Sequence, residues 1–216
     1  MKIKAVIFDL DGTLIHTKPE YLSQLLKRCF ADTGIEPSYE NVERLWFGLE
    51  KDRIVSELGG NPLDFWKKFI DYDTIDERTK HLVPYEDIRV VKKLAENGTK
   101  VGVVTNAVFH MAHHEIDILR EHGIQFDAIV VAFDKDLNMM VKPKPSPEGI
   151  EECLKILGVA AADAVFVGDT PEDAEAARAA GVLSVHIDRG EHSIKVGADI
   201  RIKSLDEILG IVEDRA

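Results

Sequence analysis

Hydrophobic positions along this chain follow two repeating patterns. Short, mainly apolar runs, Ala5 to Phe8, Lys100 to Val104, Ala128 to Ala132, Ala164 to Val167 and Leu183 to Ile187, are too brief for helices and predict strands buried on both faces. Around the last four of these, apolar residues recur at spacings of three and four. Those stretches (Ile88 to Ala95, about Phe109 to His122, Ser146 to Leu157 and Pro171 to Ala180) predict helices. Each stops at a glycine signal, at Asn97-Gly98, Gly123, Gly158 and Gly181. Ser146-Pro-Glu supplies a cap and a first-turn proline. Strand and helix in alternation predict a doubly wound α/β fold, a Rossmann-like three-layer α/β/α arrangement around a parallel sheet. A short strand at Asp199 to Ile202 and a helix capped by Ser204 are expected to finish the chain.

Residues 17–83 break the alternation, because only helical spacings occur there. Thr17-Lys-Pro-Glu20 reads as a capping-box start for a helix through Tyr21, Leu22, Leu25, Leu26 and Cys29, which Gly34 stops. Further helical patterns cover Tyr39 to Phe47, Arg53 to Leu58, Pro62 to Ile70 and Ile75 to His81. Both tryptophans, Trp46 and Trp66, fall in this stretch and predict a small core of its own. The expected organisation is a core domain of residues 1–16 and 84–216 with an all-α domain, residues 17–83, inserted into it.

Charge narrows the partners. A formal net charge of −12 argues against nucleic acid and against an anionic membrane surface, so an anionic small substrate needs local positive charge or a metal ion. No apolar run approaches the ~20 residues of a membrane-spanning helix. The N-terminus leads into a strand rather than a signal peptide, so a cytoplasmic protein is expected, with a monomer as the simplest assembly. Cys29 and Cys153 lie far apart and outside any metal-like spacing, which suits buried thiols in a reducing compartment.

Candidate chemistry gathers at strand ends. Asp9 and Asp11 follow the first strand, share one face, and precede Gly12, which lets the backbone turn sharply. In an open parallel sheet that end faces the ligand crevice, where two acids can share a metal ion; the plainer reading is an Asp/Gly turn. Thr105 and Asn106 follow the second strand, where hydroxyl and amides can hold a phosphate oxygen or simply make a turn. Lys142 and Lys144 lie in a proline-stiffened stretch, Val141-Lys-Pro-Lys-Pro-Ser-Pro147. Asp169 follows a buried strand and a glycine; Asp173 could join it or cap a helix that Thr170 and Pro171 begin. His110, His113 and His114 read as a solvated helix face rather than a transition-metal site.

Taken together, Asp9-Leu-Asp-Gly-Thr-Leu14 after an apolar strand, Thr105 after the next, a proline-flanked lysine and the acidic pair Asp169 and Asp173 resemble, in order, the motifs of the haloacid dehalogenase superfamily, in its phosphoglycolate phosphatase-like branch with a helical cap. The resemblance covers essentially the whole core domain. It implies a Mg2+-dependent phosphatase acting on a small phosphorylated metabolite. Asp9 and Asp169 would give carboxylates to the metal and Asp11 its backbone carbonyl. Asp9 would attack phosphorus to form an aspartyl-phosphate, and Asp11 would protonate the leaving alcohol and then activate water. Thr105 and Asn106 would hold the phosphate. The family's lysine directly precedes Pro-x-Pro, which selects Lys142 and leaves Lys144 as a solvated loop residue. Asp173 would support Lys142 or a metal-bound water. The insert matches the cap, with Lys51 or Arg53, expected in a break between cap helices, reaching substrate or merely solvated. His16 stands where relatives often have an acid. Asp11 argues against a 2-haloacid dehalogenase, which lacks an acid there. A sugar-phosphate mutase and a non-catalytic phospho-ligand binder remain as alternatives.

Overall fold

A computed structural model describes residues 2–213 and divides the chain into two compact units, Met1–His16 with Pro84–Ala216, and Thr17–Val83. Its strands are β1 (Ala5–Phe8), β2 (Ile15–Thr17), β3 (Leu82–Pro84), β4 (Lys100–Val108), β5 (Ala128–Phe133), β6 (Ala164–Gly168), β7 (Leu183–Ile187) and β8 (Ile200–Ile202). Six form one sheet in the order β5-β4-β1-β6-β7-β8, every pair parallel. Ala5 to Phe8 are all buried, as expected of a central strand covered on both faces. From β1 the chain moves to one side for β4 and β5, then returns to the other side for β6, β7 and β8. That reversal opens a crevice at the carboxyl end of β1, between β4 and β6.

The inserted unit contains α1 (Pro19–Cys29), α2 (Tyr39–Phe47), α3 (Lys51–Glu57), α4 (Pro62–Tyr72) and α5 (Ile75–Arg78). Ser38, Asn61 and Thr74 cap α2, α4 and α5 through their side-chain oxygens. Its core packs Leu26, Phe30, Leu45, Val55 and Phe65 together, with Trp66 and Phe69 at the edge. A buried ion pair, Arg78 to Asp73 at 2.7 Å, is completed by the Tyr21 hydroxyl, which donates to Asp73 at 2.8 Å. Two expectations need correction. Thr17 does not cap α1: it is the last residue of β2, whose partner is β3, and Lys18 precedes the helix instead. Lys51 and Arg53 lie within α3 rather than between helices, because Glu50 takes the left-handed turn (φ +56°) just before it.

The sheet is covered by α6 (Arg89–Glu96), α7 (Phe109–Glu121), α8 (Glu148–Leu157) and α9 (Pro171–Ala179), and α10 (Glu207–Glu213) follows β8. One core face joins Ile7, Val104 and Phe166 of the sheet to Ile150, Cys153 and Leu157 of α8. A Cβ on Gly102 would stand 2.6 Å from Cys153 Sγ, so only glycine lets β4 and α8 come this close. Of the described residues, no helix is long and apolar enough to cross a membrane.

Candidate active site

Asp9 sits one residue past β1 and is still held by the sheet, its amide donating to Val167 O at 2.8 Å. A tight turn follows, closed by Leu14 N to Leu10 O (2.9 Å) and Gly12 N to Ile15 O (2.8 Å). Gly12 takes φ +72°, and a Cβ there would strike the Asp169 carboxylate, so the turn passes directly over that group. From the same turn, the Thr13 hydroxyl donates to Asp169 Oδ1 at 3.3 Å. Asp11, half-buried in the same turn, pairs with Ile15 through its backbone.

The lysine beside Asp9 is Lys144, which corrects the choice of Lys142. Lys144 Nζ donates to Asp9 Oδ1 at 2.5 Å and to Asp173 Oδ1 at 2.6 Å, and its side chain is 4% exposed. Lys142 is 70% exposed and faces Glu148 at 3.8 Å. The reason lies one strand away. The Asn106 amide accepts from Lys144 N (2.8 Å) and donates to Lys144 O (3.0 Å), which fixes the loop register at residue 144. Asn106, expected to hold phosphate, therefore grips the main chain of the lysine. Thr105 and Asn106 do not follow the strand as expected: β4 runs on to Val108, with its register shifting between Thr105 and Val108, and Thr105, its last buried residue, accepts from Ala107 N at 3.1 Å.

Asp169 follows β6, and Asp173 lies in the first turn of α9. Both readings of Asp173 hold together. Its Oδ2 accepts from Thr170 N (2.9 Å) and from the Thr170 hydroxyl (2.6 Å), while Oδ1 takes Lys144. Carboxylate oxygens of Asp9, Asp169 and Asp173 all lie within 4.8 Å of one another. Burial pushes the Asp9 carboxyl up to about 7; the Lys144 charge pulls it down and Asp173 adds to the rise. Burial, then the charges of Asp173 and Asp9, hold Asp169 well above the usual carboxylate range. Burial works to lower Lys144, but Asp173 and Asp9 outweigh it and hold the ammonium above its usual value.

Three buried carboxylates against one ammonium leave a deficit of two charges (−3 + 1) when all are ionised. A divalent cation cancels that deficit, and an all-oxygen donor set suits Mg2+. The residues present therefore fit such an ion. His110, His113 and His114 are not in this cluster; His113 stacks on Phe109 and bonds its carbonyl. In the inserted unit, Arg53 is tied to Glu50 (3.1 Å) and Glu57 (2.9 Å), acids just before and within its own helix.

A family model of haloacid dehalogenase-like hydrolases matches residues 6–187. The chain belongs to this family. It is 30% identical to the pyrophosphatase PpaX of Halalkalibacterium halodurans, over 100% of both chains. It is 28% identical to the phosphoglycolate phosphatase of Aquifex aeolicus, over 83% of this chain and 82% of the other. A crystal structure described as a predicted phosphatase from Clostridium acetobutylicum superposes with a TM-score of 0.81 at 19% identity, covering 99% of this chain and 100% of that one.

In this haloacid dehalogenase-like hydrolase, the loop after β7, which carries none of the expected motifs, also meets the site. Arg189 donates to the Thr13 carbonyl at 2.6 Å and to both oxygens of Asp87 at 2.8 and 3.0 Å. Glu191 accepts from the Tyr85 hydroxyl and lies 3.4 Å from His16 Nδ1. His192 Nε2 bonds the Asp169 carbonyl at 2.9 Å. The signal in the sequence is Asp188-Arg-Gly-Glu-His192, polar residues straight after a buried strand, as at the other motifs.

Proposed function

We propose that this hydrolase is a Mg2+-dependent phosphatase acting on a small phosphorylated metabolite by phosphoryl transfer to Asp9. The observation that carries the reading is Lys144 Nζ bonded to both Asp9 and Asp173, with Asp169 in the same buried cluster. Asp9 and Asp169 would hold the ion through their carboxylates and Asp11 through its carbonyl. When bound, Mg2+ supplies positive charge that offsets the substrate's phosphate oxygens beside these acids.

Lys144 engages Asp9 Oδ1, so Oδ2 is assigned as the attacking oxygen. Its bond to phosphorus forms as the bond to the leaving oxygen breaks, and Asp11 gives that oxygen a proton. Asp11 then takes a proton from water, whose oxygen attacks the same phosphorus and frees the Asp9 carboxylate. Asp173 keeps the lysine charged and in place. Thr105, on the adjacent strand β4, is assigned the phosphate oxygens, and Asn106 acts through Lys144. Asp11 favours this chemistry over halide displacement and over simple binding, since neither needs a group that gives and takes a proton there. A mutase would need further residues for a second phosphate. The insert is assigned the reading of the leaving group. An Arg53→Ala variant with unchanged turnover and Michaelis constant for every substrate would remove Arg53 from that role.

The relatives' names set the panel: pyrophosphate and phosphoglycolate beside p-nitrophenyl phosphate. Hydrolysis of any of these by the wild type, abolished by chelator and by Asp9→Asn, is the expected result. Activity that survives the loss of Asp9 would overturn the reading.

A further inference from the structure

The Asp169 carbonyl lies between two ladders: the pairing of β6 with β7 ends at Gly168 opposite His186, and α9 begins its own with Ala174 N to Thr170 O. A carbonyl at a residue this buried needs a donor, and it receives one from His192 Nε2 at 2.9 Å. Because a carbonyl only accepts, that ring nitrogen carries its hydrogen.

The peptide plane after Asp169 is thus held from both sides: His192 binds its oxygen, and Asp173 Oδ2 accepts from its N–H, that of Thr170, at 2.9 Å. That fixed plane limits the directions open to the Asp169 Cα–Cβ bond, and the Thr13 hydroxyl meets the carboxylate at Oδ1. The loop that carries His192 is itself anchored. Arg189 spans Asp87 and Thr13 and lies 3.8 Å over the Tyr85 ring, and Glu191 takes the Tyr85 hydroxyl. The imidazole of His186, on β7, lies 6.2 Å away and packs behind it.

We propose that His192 is a positioning residue, which through the Asp169 carbonyl sets the Asp169 carboxylate for the divalent cation. This rests on the reading above that Asp169 holds that ion. It makes the loop after β7 a working part of the site, acting on the cation through one main-chain oxygen. Partners that orient a ligand in this way commonly govern metal affinity by about 10–100-fold.

The test compares wild type, His192→Gln and His192→Met. Glutamine places an N–H donor near the position of imidazole Nε2; methionine has similar size and no donor. Mg2+ affinity is read by calorimetry and by the rise in Tm on titration with MgCl2, and turnover of p-nitrophenyl phosphate is followed against Mg2+ concentration. His192→Met should bind Mg2+ about tenfold or more weakly, with turnover recovering at high Mg2+, and His192→Gln should stay close to wild type. His192→Met binding Mg2+ as tightly as a wild type that also hydrolyses substrate would overturn this proposal alone. A wild type that neither binds Mg2+ nor hydrolyses any substrate would overturn the functional reading and this proposal with it. Should His192→Met fail to fold, His192→Asn, whose amide stops short of the carbonyl, takes its place with the same two outcomes.

Discussion

At the scale of single residues, the site turns on which of two lysines meets Asp9. Val141-Lys-Pro-Lys-Pro-Ser-Pro147 contains a lysine followed by Pro-x-Pro twice, at Lys142 and again at Lys144, so the string alone fits in two registers. What separates them is Asn106, 38 residues from Lys144, whose amide takes both the N–H and the carbonyl of Lys144. Long-range pairing of this kind leaves no local trace in sequence. The clustering of Asp9 and Asp169 was legible because acids directly after buried apolar runs are conspicuous, and that of Asp173 because it sits at a helix start. The account predicts that Lys144→Ala lowers kcat by roughly 10²–10³-fold, the usual cost of removing a placed charge-stabilising donor. Lys142→Ala should leave kcat and the Michaelis constant near wild type. Steady-state kinetics on purified, folded variants checks both.

At the scale of elements, the strand ends do the assembling. β1, β4 and β6 lie side by side in parallel register, so Asp9, Thr105 and Asp169 reach one edge without any loop having to bring them there. Those strands could be read as apolar runs. The ribbon of β2 and β3 could not, because three residues are too few for a period, and Thr17 consequently passed for a helix cap. The loop after β7 was missed for a related reason: His192 acts on a backbone oxygen, which no sequence motif displays. Asn106 gives the element-scale prediction. Asn106→Ala frees the Lys144 loop from β4 and should lower kcat by up to ~100-fold, the scale of a misplaced group. The Michaelis constant should change little; a rise in it with unchanged kcat would return Asn106 to direct substrate contact.

For the whole molecule, the buried cluster is a burden on stability that a bound cation would relieve. Asp9 has an ordinary pKa of 3.8 and is pushed up to about 7 in the folded protein, chiefly by burial. Between about pH 4 and pH 7 the folded chain therefore holds a proton that the unfolded chain has lost. The metal-free protein should lose stability as pH rises through that window. Asp9→Asn, which mimics the protonated acid, should melt higher than wild type at pH 8 in chelator, the gap closing toward pH 4, as thermal unfolding across pH would record. Mg2+ added to the wild type at pH 8 should recover much of the difference by binding the folded state alone.

The central claim is that phosphoryl transfer passes through Asp9. Acid-quenched mass spectrometry of Asp11→Asn mixed with Mg2+ and p-nitrophenyl phosphate tests it most directly, since loss of the acid assigned to activate water should let the intermediate accumulate. The account predicts the added mass of one phosphoryl group on the peptide containing Asp9, absent from Asp9→Asn and slow to decay. Wild-type hydrolysis with no label on that peptide, or with the label on another residue, would contradict it.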